Sequence, residues 1–308
     1  MSLIAFFGAL EIGFLYGLVG LGVYLSFRIL DFPDLTVDGS FPLGGAIAAT
    51  LIVSGVNPFI ATFVAFLGGG VAGLVTAWLN VQFQILHLLA SILTAIALYS
   101  INLRIMGRPN IPLLGEDTIF TPLEKGIIAP LPEAWMGGAV LALSVGAIVF
   151  AAKIALDGFL NSQLGLGMRA TGVNPVMASA QGISTVSTIL WGIALSNALV
   201  AVAGAMFAQL NGSADVTMGV GTIIFGLAAT IVGETVLSPI TIRRATLGVL
   251  IGSILYRLAV GLALNADFIG LQAQDLNLVT AVLVALALVL PRYRDRLKSM
   301  WRDRAQNG

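Results

Sequence analysis

Three carboxylates crowd one short stretch, DFPDLTVDGS, as Asp31, Asp34 and Asp38. Elsewhere, the ionisable groups inside long apolar runs are Glu11, Glu234 and Arg257. At the centre of a bilayer such a group costs at least ~2.5–3.5 kcal/mol, so it faces protein or water and marks a solute path or ion route. Two chemistries suit these residues. They could line a broken helix, whose free backbone groups are tolerated only beside a cavity. Or Glu11, Glu234 or the Asp cluster could couple transport to an ion gradient. A solvated turn is the plainer alternative at 31–38, with Ser40 capping the next helix and Pro42 inside its first turn. Enzyme chemistry finds no support. There is no cysteine and a single histidine, His87, and no nucleophile–base motif or metal cluster is spaced for one face. A P-loop needs a lysine after glycine, and none of Lys125, Lys153 and Lys298 follows one. The chain has no nucleotide-binding motif of that type, so it cannot hydrolyse ATP by that route.

These residues sit in a chain made for lipid. Of 308 residues, 58% are hydrophobic and 10% charged, with a mean hydropathy of +0.99, whereas soluble domains carry roughly 25% charged residues. A bilayer core of ~30 Å needs about 20 apolar residues per helix. The chain is therefore read as all-α, a single polytopic domain over 1–308 with about nine spans (eight to ten). They are 3–30, 41–55, 57–79, 85–103, 134–155, 186–210, 217–237, 246–264 and 277–291.

The distribution of Lys and Arg orients them. With the C-terminus in the cytoplasm, Arg28, Lys153, Arg169, Arg243, Arg244 and six basic residues of the tail 292–308 fall inside, 11 of 15. Only Arg104, Arg108 and Lys125 fall outside. The N-terminus is then expected outside, as in a multi-pass protein of a prokaryotic plasma (inner) membrane. The loop 104–133 becomes external, stiffened by five prolines. It is either a linker or a docking surface for an external partner.

The segment 157–183 becomes cytoplasmic, and little of it belongs in lipid. Its first part could lie flat on the membrane as an amphipathic helix. Gly172 is expected to break the chain. Asn174 can cap a helix, Pro175 suits its first position and Gly182 a C-terminal stop. The expected product is a two-turn helix over PVMASAQ, suited to a groove on another protein.

RATGVNPVMASAQGI resembles the coupling-helix loop of ABC importer permeases of the branched-chain amino acid and ribose type. FPDLTVDGSFPLGGA at 32–46 resembles a second signature of that family, and GLQAQDLNLVTAVLVALAL at 270–288 its C-terminal end. The match covers nearly the whole chain and is closest to the single-permease subgroup associated with aromatic amino acids, tryptophan and tyrosine. The resemblance implies a permease subunit that receives a small polar solute, an amino acid, from an external substrate-binding protein. It also implies a cytoplasmic ABC ATPase partner that binds ATP and Mg, no cofactor in this chain, no nucleic acid, and a permease homodimer. By matching position, Arg169, Ala170, Thr171, Gly172, Asn174, Pro175 and Gly182 would couple to the ATPase.

A weak internal repeat adds a path. At an offset of 181, Asp34/Asp215, Thr36/Thr217, Gly45/Gly226 and Ala48/Ala229 coincide. In the expected topology the copies are inverted, which would place a substrate path at their interface. Asp34, Thr36, Asp38, Asp215, Thr217, Glu234 and Arg257 are the candidates to line it, and Glu234 and Arg257 either pair across adjacent helices or snorkel separately. The glycine pairs Gly13/Gly17 and Gly69/Gly73 suit close helix packing, within the chain or between subunits. The alternative reading of the whole is a secondary transporter driven by an ion gradient.

Overall fold

A computed structural model describes residues 2–264, apart from 130 and 132, together with 282 and 285. All but two residues of the expected ninth span 277–291, the motif at 270–288 and the whole tail 292–308 lie outside the described residues. Helix α1 (Leu3–Val23) runs on into a π-helical turn, Tyr24–Ile29. There follow α2 (Val37–Val53), α3 (Pro58–Phe83), α4 (His87–Met106), the strand β1 (Asn110–Pro112) and the single turn α5 (Thr121–Leu123). Then come α6 (Ala134–Leu160), α7 (Gln163–Val173), α8 (Pro175–Ala180) and α9 (Thr185–Asn211). Strand β2 (Ser213–Asp215), α10 (Thr222–Val236) and α11 (Ile242–Leu264) complete the described part.

Six of the described helices are long and apolar enough to cross a membrane: α1 with its π turn, α3, α4, α6, α9 and α11. Helices α2 and α10 are apolar but shorter, at 17 and 15 residues. Both differ from the expected spans, for local reasons. Helix α2 begins at Val37 rather than 41, and Ser40 is a helical residue whose hydroxyl donates to Asn197, not a cap. Helix α10 begins at Thr222 rather than 217. Asp215 captures the Thr217 N–H at 2.8 Å, and a side chain bonded to nearby backbone favours a turn over a helix. Gly221, at φ +82°, then sets the chain into the helix.

Helix α9 is the axle of the bundle. Its middle is buried from Ile193 to Ala194 and from Ser196 to Ala201, because α1, α2 and α3 all pack against it. Helix α3 reaches it through Gly69 and Gly73. A Cβ at Gly73 would stand 2.9 Å from the Ala194 Cα and would overlap the Ile193 carbonyl oxygen, so no side chain fits. Gly13 and Gly17 likewise meet α11, at Ile254 and Leu250. Both glycine pairs thus serve packing within the chain.

One element departs from an all-helical reading. β1 pairs antiparallel with β2, Asn110 opposite Asp215 and Pro112 opposite Ser213. The ladder fastens the proline-rich 104–133 segment to the end of α9.

Candidate functional site

The elbow α7–α8 is built by caps. Ser162 starts α7 by accepting the Gly165 N–H. Asn174 leaves the helical region, φ −158° and ψ 98°, and its Oδ1 accepts the Met177 N–H at 2.9 Å. Pro175 occupies the first helical position, and Gly182 ends the turn at φ +81°. Helix α8 stops at Ala180, a little short of the expected PVMASAQ. Helix α7 is firmly seated. The Thr171 hydroxyl meets that of Thr188 on α9 at 3.0 Å.

Gly172 does not break the chain. It lies within α7, where a Cβ would stand 3.0 Å from the Leu30 Cα and would overlap the Ile29 carbonyl oxygen. Of the seven residues expected to couple, Thr171 is thus buried, and Arg169, Ala170 and Gly172 are half-buried against the bundle. Asn174, Pro175 and Gly182 are exposed. The most exposed apolar side chains of the elbow are Val173 at 83% and Val176 at 78%.

The break between α1 and α2 holds a polar knot. Asp34 is fully buried. Its Oδ1 accepts the Thr36 N–H at 2.9 Å and its Oδ2 accepts the Asn197 Nδ2–H at 2.6 Å. Asn197 stands near the middle of α9, and its Oδ1 accepts the Ser40 hydroxyl at 2.7 Å. Thr36 and Thr76 share a hydroxyl bond at 2.7 Å. These groups satisfy one another, as buried polar groups must, and Asp34 and Thr36 do not line the cavity beside Asp38.

The second break repeats the first turn. Asp215 Oδ1 accepts the Thr217 N–H as Asp34 Oδ1 accepts that of Thr36. Asp215 also accepts the Thr217 hydroxyl at 2.6 Å, and that bond and its backbone companion hold its carboxyl below the usual range. The breaks meet where Asp38 Oδ1, in the first turn of α2, accepts the Ile223 N–H at 2.9 Å in the first turn of α10. A carboxylate is favoured at both helix N-termini. Beside it a cavity of about 440 Å³ opens, lined by Asp38, Asn102, Tyr99, Ser100 and Thr217 among others.

Glu234 and Arg257 do not pair. The Glu234 carboxylate is held by Arg28, Nε to Oε1 at 2.6 Å with a second bond from Nη2 to Oε2. The π turn at 24–29 carries Arg28 beside α10. Arg257 lies 6.0 Å from the ring centres of both Tyr16 and Phe225, where aromatic faces attract a cation. The structure thus brings Asp38 and Thr217 to one cavity and puts Asp34 with Thr36 in the core. Asp215 joins the ladder, and Glu234 and Arg257 are apart. Asn102 and Asn197 escaped the sequence reading; their signal is an amide inside an otherwise apolar helix.

Comparison with known proteins agrees with this architecture. The family model described as "branched-chain amino acid transport system / permease component" matches residues 5–290. The chain is 39% identical to a tyrosine transport system permease protein of Clostridioides difficile (strain R20291), over 91% of this chain and 89% of that one. It is 32% identical to an uncharacterised protein of Rickettsia prowazekii (strain Madrid E), over 87% and 91%. It is 26% identical to the D-allose transport system permease protein of Escherichia coli (strain K12), over 71% and 63%. No solved structure matches the chain significantly. The family match spans nearly all the chain and agrees with the resemblance carried by the 32–46 and 169–183 motifs: the chain belongs to the family of branched-chain amino acid transport system permease components.

Proposed function

We propose that this permease is the membrane subunit of an ATP-driven ABC importer for an aromatic amino acid of the tyrosine class. The observation that carries the reading is the elbow. A capped two-helix unit presents Val173 and Val176 to solvent, on a base locked to α9 and to the end of α1. An exposed apolar prominence on a rigid support suits a groove on a second protein. A chain without a P-loop needs such a contact to receive force.

In this reading the elbow and Arg28 face the cytoplasm, the N-terminus and the β1–β2 ladder face outward, and the C-terminus returns inside. A binding protein delivers the solute to the outer face. Two copies of the permease pair over two ATPases. The twin Asx turns at Asp34 and Asp215, each in the break ahead of a short helix, support an inverted repeat whose interface runs along Asp38 and Thr217. The substrate class comes from the tyrosine permease relative.

Reconstitution tests this. The purified permease, ATPase and binding protein in liposomes are expected to accumulate radiolabelled tyrosine only with internal ATP. Uptake by the permease alone, abolished by collapsing an ion gradient, would overturn the proposal.

A further inference from the structure

We infer that the cavity beside Asp38 is a transit subsite for the ammonium group of an amino-acid solute, with the Asp38 carboxylate and the Asn102 carbonyl as its acceptors. The inference rests on the importer reading above. Three observations converge. The cavity, about 440 Å³, lies between the first turn of α2, the second half of α4 and the turn before α10. Its volume falls in the range of small-molecule sites. Asn102 is fully buried, its Nδ2 donates to the Gly39 carbonyl at 3.2 Å, and its Oδ1 has no partner. The amide orientation follows from that bond, since a carbonyl can only accept. Asp38, half-buried, accepts the Ile223 N–H with Oδ1 and retains further acceptor capacity.

The Asn102 oxygen calls for a donor, and Asp38 can take another beside those of Ile223 and Gly221. A buried carbonyl oxygen without one costs about 1–3 kcal/mol; the Asn102 oxygen is closed to water at rest, so an arriving N–H recovers that cost as the cavity wall yields. A primary ammonium brings three donors and the charge that suits a carboxylate. An anionic head would be repelled by Asp38, and a neutral sugar would gain nothing from its charge. Tyr99, Ile96 and Val220 give the same cavity an apolar wall. That wall suits the ring of an aromatic side chain.

Saturation-transfer NMR on the purified full chain tests this, with tyramine, which keeps the ammonium and lacks the carboxylate, and hydroxyphenylpropionate, the converse. Tyramine is expected to receive saturation and hydroxyphenylpropionate is not. Asp38→Asn, which keeps an oxygen for the Ile223 N–H, and Asn102→Leu each weaken tyramine about tenfold or more, the loss of one hydrogen bond to a charged group. Asn102→Asp keeps an acceptor and retains tyramine, which a merely structural role would not foresee. Equal binding of the two probes, or tyramine binding indifferent to Asp38→Asn and Asn102→Leu, overturns the subsite. In liposomes with ATPase and binding protein, Asp38→Asn is expected to slow tyrosine uptake about tenfold while ATP hydrolysis continues. Normal uptake by Asp38→Asn overturns the subsite alone. A wild type that takes up no amino acid with ATP overturns the importer reading.

Discussion

Arg28 holds Glu234 through two nitrogens of one guanidinium, across 206 residues of chain. The pair fastens the π-helical end of α1 to α10 and takes the place of the Glu234–Arg257 pair that spacing alone suggests. Arg28 is 55% exposed at its side chain, so solvent weakens the bond despite its forked geometry. A double-mutant cycle of Arg28→Gln and Glu234→Gln, read by thermal unfolding of the purified chain, is expected to give a coupling near 1 kcal/mol. The same cycle with Arg257→Gln in place of Arg28→Gln is expected to give none.

Gly172 and Val176 separate support from docking on the elbow. Gly172→Ala forces a methyl against the Ile29 carbonyl. It is expected to destabilise the chain by about 1–3 kcal/mol, the usual cost of overpacking. Val176→Arg, at a solvent-facing position, is expected to leave unfolding unchanged and to abolish co-purification with the ATPase. An ATPase that still copurifies with Val176→Arg would move the docking surface off α8.

Asn197 joins Asp34 to Ser40 at the centre of the bundle. Asn197→Leu removes a donor from a buried carboxylate and an acceptor from a buried hydroxyl. The expected loss is about 2–3 kcal/mol or more, visible as a lower unfolding temperature. Ser40→Ala, which leaves Asp34 its donors, is expected to cost about 1 kcal/mol.

Asp215 gives the fold a small acid sensitivity. Its carboxyl is held below the usual range by Thr217, so it stabilises the fold above the unfolded value of about 3.9. That contribution is lost as pH falls through the lower folded value. Asp215→Asn is expected to flatten the acid limb of an unfolding-temperature curve below about pH 4. A limb as steep as in wild type would exclude Asp215 as its source.

The elbow is legible in the sequence because caps act over three or four residues, so Asn174, Pro175 and Gly182 carry their roles in their immediate neighbours. Gly172 is misread for the same reason. Its role is set by Ile29, on another helix, and a glycine that admits a neighbour looks locally like a glycine that ends a helix. Asn102 depends on Gly39, 63 residues away, and Asn197 on Asp34, 163 away. No local pattern reports such partners. The starts of α2 and α10 fall between these cases. The Asx turns are written in Asp34-x-Thr36 and Asp215-x-Thr217, but hydropathy alone starts the first span late, at 41 rather than 37, and the second early, at 217 rather than 222.

The β1–β2 ladder also carries a clock. Asn110 leaves the ribosome 105 residues before Asp215 does. At ordinary synthesis rates the first strand waits roughly 5–20 s for its mate. During that interval it is an unclaimed edge, the kind of surface on which chains misassociate. Three residues ending in Pro112 make a poor template for a stranger. The shortness of the strand, which looks like a trivial decoration on a helical protein, is what lets it wait safely.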